Sequence, residues 1–150
     1  MASQIDTIVK SLKGIVSGTA ALATLLPGGL SHGKRVNPEA VKPFGSLIVE
    51  EQKRVFNSSG VSLATYLVTL RVYVSEKIGR AGEILGIFHD HFDRLRSLPS
   101  LDEDEAKLVL IFPGKSRINE DDDVVLGKDV ILAETDWTIK LAEYQSAITM

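Results

Sequence analysis

The chain reads as an α+β domain: a mostly antiparallel sheet of about five strands with two helices packed on one face, in the order α-β-β-α-β-β-β. Three observations lead there. In Ala64 to Ser75, the residues Tyr66, Val68, Leu70, Val72 and Val74 are apolar and alternate with Thr65, Thr69, Arg71 and Ser75. That period of two is the mark of a half-buried strand, here expected at the centre of the sheet. A second alternation closes the chain, where Ile131, Ala133, Thr135, Trp137, Ile139 and Leu141 interleave with Leu132, Glu134, Asp136, Thr138 and Lys140. Two further segments carry apolar residues at helical spacing, and the links between strands are of hairpin length, which favours antiparallel pairing.

Taken in order, Ser3 to about Leu26 places Ile5, Ile8, Val9, Leu12, Ile15, Val16, Ala20, Leu22 and Leu26 largely at the spacing of one helical stripe, predicting an amphipathic helix. Ser3 is a candidate cap, and Pro27-Gly28-Gly29 ends the segment. Gly14 and Gly18 lie four apart inside it, each unfavourable by up to about 1 kcal/mol relative to Ala; they either break the helix or admit close packing. Leu30 to Pro43, with two prolines and no period, reads as an extended linker. Ser46 to Phe56 begins as a strand and Asn57-Ser58-Ser59-Gly60 turns it back into the central strand, so the two form a hairpin. Its centre, Glu50-Glu51-Gln52-Lys53-Arg54, is polar on both faces, which suits a projecting arm or a solvent-exposed edge.

A loop over Lys77 to Ala81 precedes a second helix over Gly82 to Arg96, with Ile84, Leu85, Ile87, Phe88, His91, Phe92 and Leu95 on one broad stripe. Leu98-Pro99-Ser100-Leu101 stops it. Lys107 to Phe112 (KLVLIF) is an unbroken apolar run and predicts a strand covered on both faces, turned by Pro113-Gly114. A polar loop over Lys115 to Asp123, a short strand Val124-Val125-Leu126 and a turn at Gly127-Lys128 then lead into the last strand. Trp137, Leu70 and Val72 are expected in one core beneath the helices.

At 150 residues the chain fits a single domain spanning 1–150, long enough to bury about two-thirds of its unfolded surface. The absence of cysteine removes disulfides, thiol nucleophiles and thiolate-ligated zinc together. The segment MASQIDTIVK lacks the basic and apolar regions of a secretion signal, and no apolar run approaches the ~20 residues that span a bilayer; the expectation is a soluble, unexported protein. The net charge of -3 hides an asymmetry: residues 1–100 hold 12 Lys+Arg against 8 Asp+Glu, whereas residues 101–150 hold 5 against 12. The acid is clustered in Asp102-Glu103-Asp104-Glu105 and Glu120-Asp121-Asp122-Asp123. Such runs are ordinarily solvated loops; the sharper reading is a wall that repels a polyanion, with Glu120, Asp121, Asp122 and Asp123 facing a channel.

No catalytic constellation is present: there is no nucleophile elbow, paired His and Ser, or Gly-rich dinucleotide turn. Gly33-Lys34-Arg35 has only a fragment of a phosphate loop. His89 and Asp93 have the helical spacing of two metal ligands, but no third donor accompanies them. An acidic chain without a basic, aromatic-bearing stripe is also a poor nucleic-acid reader. The expectation is therefore no enzyme and no cofactor.

The layout resembles the tail terminator (tail completion) proteins of long-tailed bacteriophages and phage-like particles. Four parts carry the resemblance: the N-terminal amphipathic helix ending in LLPGG, the hairpin ending in YLVTLRVYVS, the helix GEILGIFHDHFDRL after it, and a terminal hairpin with the long strand ILAETDWTIKLAEY. It is a likeness of element order and pattern over most of the chain. The resemblance implies a homo-oligomeric ring, commonly a hexamer, that caps the tail tube, ends its polymerisation and meets a head or neck protein. It implies no catalysis, no membrane and a place at the tail end of the virion after assembly in the host cytoplasm. On that reading Glu50, Glu51, Lys53, Arg54 and Phe56 of the polar hairpin are candidates for the subunit interface. The alternative is an oligomeric ligand-binding or regulatory α+β domain of a cell, which an apolar pocket would favour.

Overall fold

The computed structural model describes residues 3–33, 41, 43–56, 60–75, 80–119 and 130–144. Its elements are α1 (Ile5–Gly18), α2 (Ala20–Ala23), β1 (Leu30–His32), β2 (Phe44–Phe56), β3 (Val61–Ser75), α3 (Ala81–Phe92), β4 (Ala106–Asn119) and β5 (Val130–Tyr144). The five strands form one sheet in the order β1-β2-β3-β5-β4, antiparallel except where β1 runs parallel to β2. The α+β class holds and β3 is the middle strand, but the element order gains a short helix and an extra strand before α3.

Both additions have local causes. The first helix ends at Gly18, and Thr19 turns to extended backbone (φ -113°, ψ 111°) before the single turn of α2. A Cβ placed on Gly14 or Gly18 would meet nothing within 4 Å, so neither glycine serves close packing; Gly18 instead marks the break. Past the helix, Gly28 is confined, since a Cβ there would lie 1.8 Å from the Val41 carbonyl oxygen. Its N–H donates to the Pro43 carbonyl at 3.1 Å, and Gly45 N–H donates to the Gly29 carbonyl at 2.9 Å. Those bonds hold Gly28 and Gly29 beside the start of β2, and the first residues of the segment read as a linker, Leu30–His32, pair with Gly45, Ser46 and Leu47.

The core follows the alternation. Ala64, Tyr66, Val68, Leu70, Val72 and Val74 are all fully buried, and in register with them Leu141, Ile139, Trp137 and Ala133 of β5 are buried too. Ile8, Leu12 and Val16 of α1 and Ile84, Leu85, Phe88 and Phe92 of α3 complete the same cluster, so the helices cover one face of the sheet. Each such apolar side chain contributes about 1.5–3 kcal/mol, and Trp137, Leu70 and Val72 lie together as the sequence predicts.

β4 departs from expectation twice. Pro113-Gly114 does not end the strand; the register shifts between Pro113 and Ser116, and pairing with β5 resumes to Asn119. A bulge absorbs a proline and a glycine on an edge strand because the outer edge asks for no N–H there. The KLVLIF run is also not covered on both faces: Val109, Leu110 and Phe112 are 55%, 43% and 39% exposed, and only Ile111 is buried. α3 stops at Phe92 rather than Arg96. The expected strand Val124–Leu126 and the acidic run Glu120–Asp123 lie outside the described residues.

Candidate assembly surfaces

β2 is longer than its neighbour β1 needs. β1 pairs only with Gly45–Leu47, so among the described residues the outer edge of β2 from Ile48 to Phe56 has no strand beside it. All five candidate interface residues sit on this free half. Glu50 and Lys53 are exposed, and Phe56 is 61% exposed. Arg54 has a different duty. It is paired with Glu51 and with Glu143, whose side chain is wholly buried.

That network joins three strands and the start of α1. A register shift at Gln52, between Glu51 and Lys53, brings Arg54 onto the helix-covered face opposite Ala64. Tyr66 donates its O–H to Glu143 Oε1 at 2.7 Å, and the Gln4 N–H at the start of α1 donates to the Tyr66 oxygen at 3.2 Å. Burial, and then the bond to Glu143, push the Tyr66 phenol up to about 12. Burial works against the Arg54 charge, but its bonds to Glu51 and Glu143 outweigh that and raise its pKa. A buried carboxylate is tolerated because two partners satisfy it. The sequence signalled Arg54 only as a polar arm residue and gave no sign of Glu143 as its partner, since 89 residues separate them.

The sheet face away from the helices carries a second ionic row. Arg71, Glu134 and Arg117 stand in register across β3, β5 and β4. Glu134 accepts from Arg71 Nε at 2.8 Å and from Arg117, and it is 4% exposed although it lies on the open face. Beside it Thr69 donates to Asp136 at 2.9 Å. Towards the β2-β3 hairpin this face turns apolar, with Val55 and Leu63 paired with each other and 47% and 39% exposed.

His89 and Asp93 form a hydrogen-bonded pair (Nδ1 to Oδ1, 3.0 Å) at the end of α3. His89 Nε2 lies 2.7 Å from Thr135 Oγ1, and Trp137 Nε1 donates to Asp93 at 2.7 Å. The cluster seals the Trp137 indole against α3, with His89 and Phe92 rings 4.6 and 5.0 Å from it. No group of three His, Asp or Glu able to hold a metal occurs among the described residues. Beside His89 a groove of about 380 Å³, open to solvent, runs between Gly82, Gly86 and Ile118. Among the described residues no helix is long and apolar enough to cross a membrane.

No protein-family model matches the chain, and no curated protein matches it by sequence. The fold, however, is shared with a chain in the structure titled "Virion of native gene transfer agent (GTA) particle". The match has a TM-score of 0.67 and 13% sequence identity, and covers 90% of this chain and 97% of that one.

Proposed function

We propose that the protein is a structural component of a phage-like particle, acting as a tail terminator whose ring caps the tail tube, ends its polymerisation and joins it to the head or neck. The observation that carries the particle reading is the near end-to-end fold match with a chain of a gene transfer agent virion; the terminator role rests on the layout that the sequence shares with tail terminator proteins. The chemistry is compatible. The described residues form a well-packed sheet with open edges and open grooves, which suits side-to-side assembly better than ligand capture. Subunits of a ring need heterologous contacts that close on themselves, and the free half of β2 with Glu50, Glu51, Lys53, Arg54 and Phe56 is the proposed contributor from one side. Its partners on this reading are further copies of itself, the tail tube protein and a head or neck protein.

The acidic run Glu120–Asp123 is proposed to line the channel, where carboxylates without Lys or Arg avoid holding passing DNA, since each phosphate contact adds salt-dependent affinity. The competing placement is a solvated loop on the outer rim.

The test is assembly without the chain. Particles produced in its absence should carry tail tubes of uncontrolled length and heads without tails. Tubes of normal length joined to heads would contradict the reading.

A further inference from the structure

We infer that neighbouring copies join by strand addition, the free half of β2 in one copy pairing antiparallel with Ala106–Phe112 of β4 in the next. This rests on the ring reading above and names the surfaces that make the ring. β2 and β4 bound the four-stranded antiparallel part of the sheet, so they run in opposite directions. Copies placed side by side in the same orientation therefore bring β4 beside β2 in the antiparallel sense, with every helix layer on the same side. A sheet with an odd number of antiparallel strands would meet its neighbour parallel.

The two edges also match in height. Following the register across the sheet, Glu50 is level with Leu67, Thr138 and Phe112; Lys53 with Thr65, Lys140 and Leu110; Val55 with Leu63, Ala142 and Lys107. The stretch of β2 that β1 leaves free is thus level with the stretch of β4 that exposes Val109, Leu110 and Phe112. Both edges are irregular at nearly one height. The Gln52 bulge lies on one side of the Lys53–Leu110 row and the Val109 bulge on the other. Bulges and Lys on an edge discourage indiscriminate pairing; here they leave an edge that accepts a strand bent at the same place.

Charge does not select against the pairing: Glu50 and Glu51 offset Lys53 and Arg54 on the free half of β2, and Lys107 is the one charge in Ala106–Phe112, a stretch without a carboxylate. Pairing would cover Val55, Leu110 and Phe112, apolar side chains that a lone subunit leaves in water.

The natural absence of cysteine makes the test direct. Lys53→Cys and Leu110→Cys sit on exposed positions of one row. After oxidation the double variant should give a covalent ladder rising to the full ring number. Each single variant should give no cross-link, because the contact is heterologous, and their mixture should give dimers. A ring of unchanged mass by light scattering, with no ladder when Lys53→Cys is combined with Cys at each position from 108 to 112, would overturn this interface and leave the ring standing. A chain that stays monomeric would overturn both. As a second arm, Val109→Lys with Phe112→Lys should abolish the ring while the circular dichroism melt stays that of a folded subunit; an intact ring would overturn the pairing.

Discussion

Glu143 and Leu70 fail in different ways when disturbed, and the difference tests where each one sits. Leu70 is fully buried in the middle of β3, so Leu70→Ala should cost about 2–5 kcal/mol by chemical denaturation; a loss below about 1 kcal/mol would contradict its burial. Glu143 is buried with a charge, so removing its partner strands it. Arg54→Met should cost about 3–5 kcal/mol, and Arg54→Met combined with Glu143→Leu much less, since replacing both members of a buried pair is often neutral. A double variant as unstable as the single one would show that the ion pair itself holds the arm. Tyr66 adds a pH dependence. Its folded pKa is raised to about 12, above the ordinary value of about 10, so folding favours the protonated phenol. That stabilisation is complete below about pH 10 and is lost as the pH rises through about 12. In a spectrophotometric titration, Tyr66→Phe should remove a phenol transition near pH 12; loss of a transition near pH 10 instead would contradict the buried hydrogen bond.

Individual elements show how much of the fold could be read in advance. The alternations of β3 and β5 were legible because one face of each is buried over most of its length, and a one-residue slip would turn every apolar side chain to the other face. β1 was not, because three residues held by Gly28 and Gly45 backbone bonds leave no periodic trace. β4 misled for a physical reason: an apolar run ordinarily means cover on both faces, but here the bulge at Val109 rotates side chains outward on an edge, and Pro113-Gly114 is a second bulge rather than a turn. Of the candidate interface residues, Glu50, Lys53 and Phe56 could be recognised as exposed, whereas the role of Arg54 depends on a contact distant in sequence. The glycines of the first helix region separate cleanly. Gly14→Ala should stabilise by about 0.5–1 kcal/mol, since the space beside it is empty; destabilisation or lost association would mean that a second chain packs there. Gly28→Ala, whose Cβ would collide with the Val41 carbonyl, should cost about 1–3 kcal/mol as overpacking does, and a neutral result would show that β1 and its link yield easily.

For the assembled molecule, the topology and the charge make separate demands. An even number of antiparallel strands between two open edges allows side-to-side growth in one orientation, which a closed ring needs and a two-fold dimer does not. The acidic run Glu120–Asp123 follows β4 in the sequence, and charge reversal distinguishes its proposed placements. Changing all four residues to Lys should leave the ring intact and impair genome passage if they line the channel; normal infectivity with the ring preserved would put them on the outer rim. Each of these expectations presupposes association of the subunits. The most direct test is therefore the mass of the purified protein in solution by light scattering. A closed multiple of the 16.3 kDa chain, unchanged on dilution and annular under the electron microscope, is the expected result. A monomer, or a dimer that never grows, would contradict it.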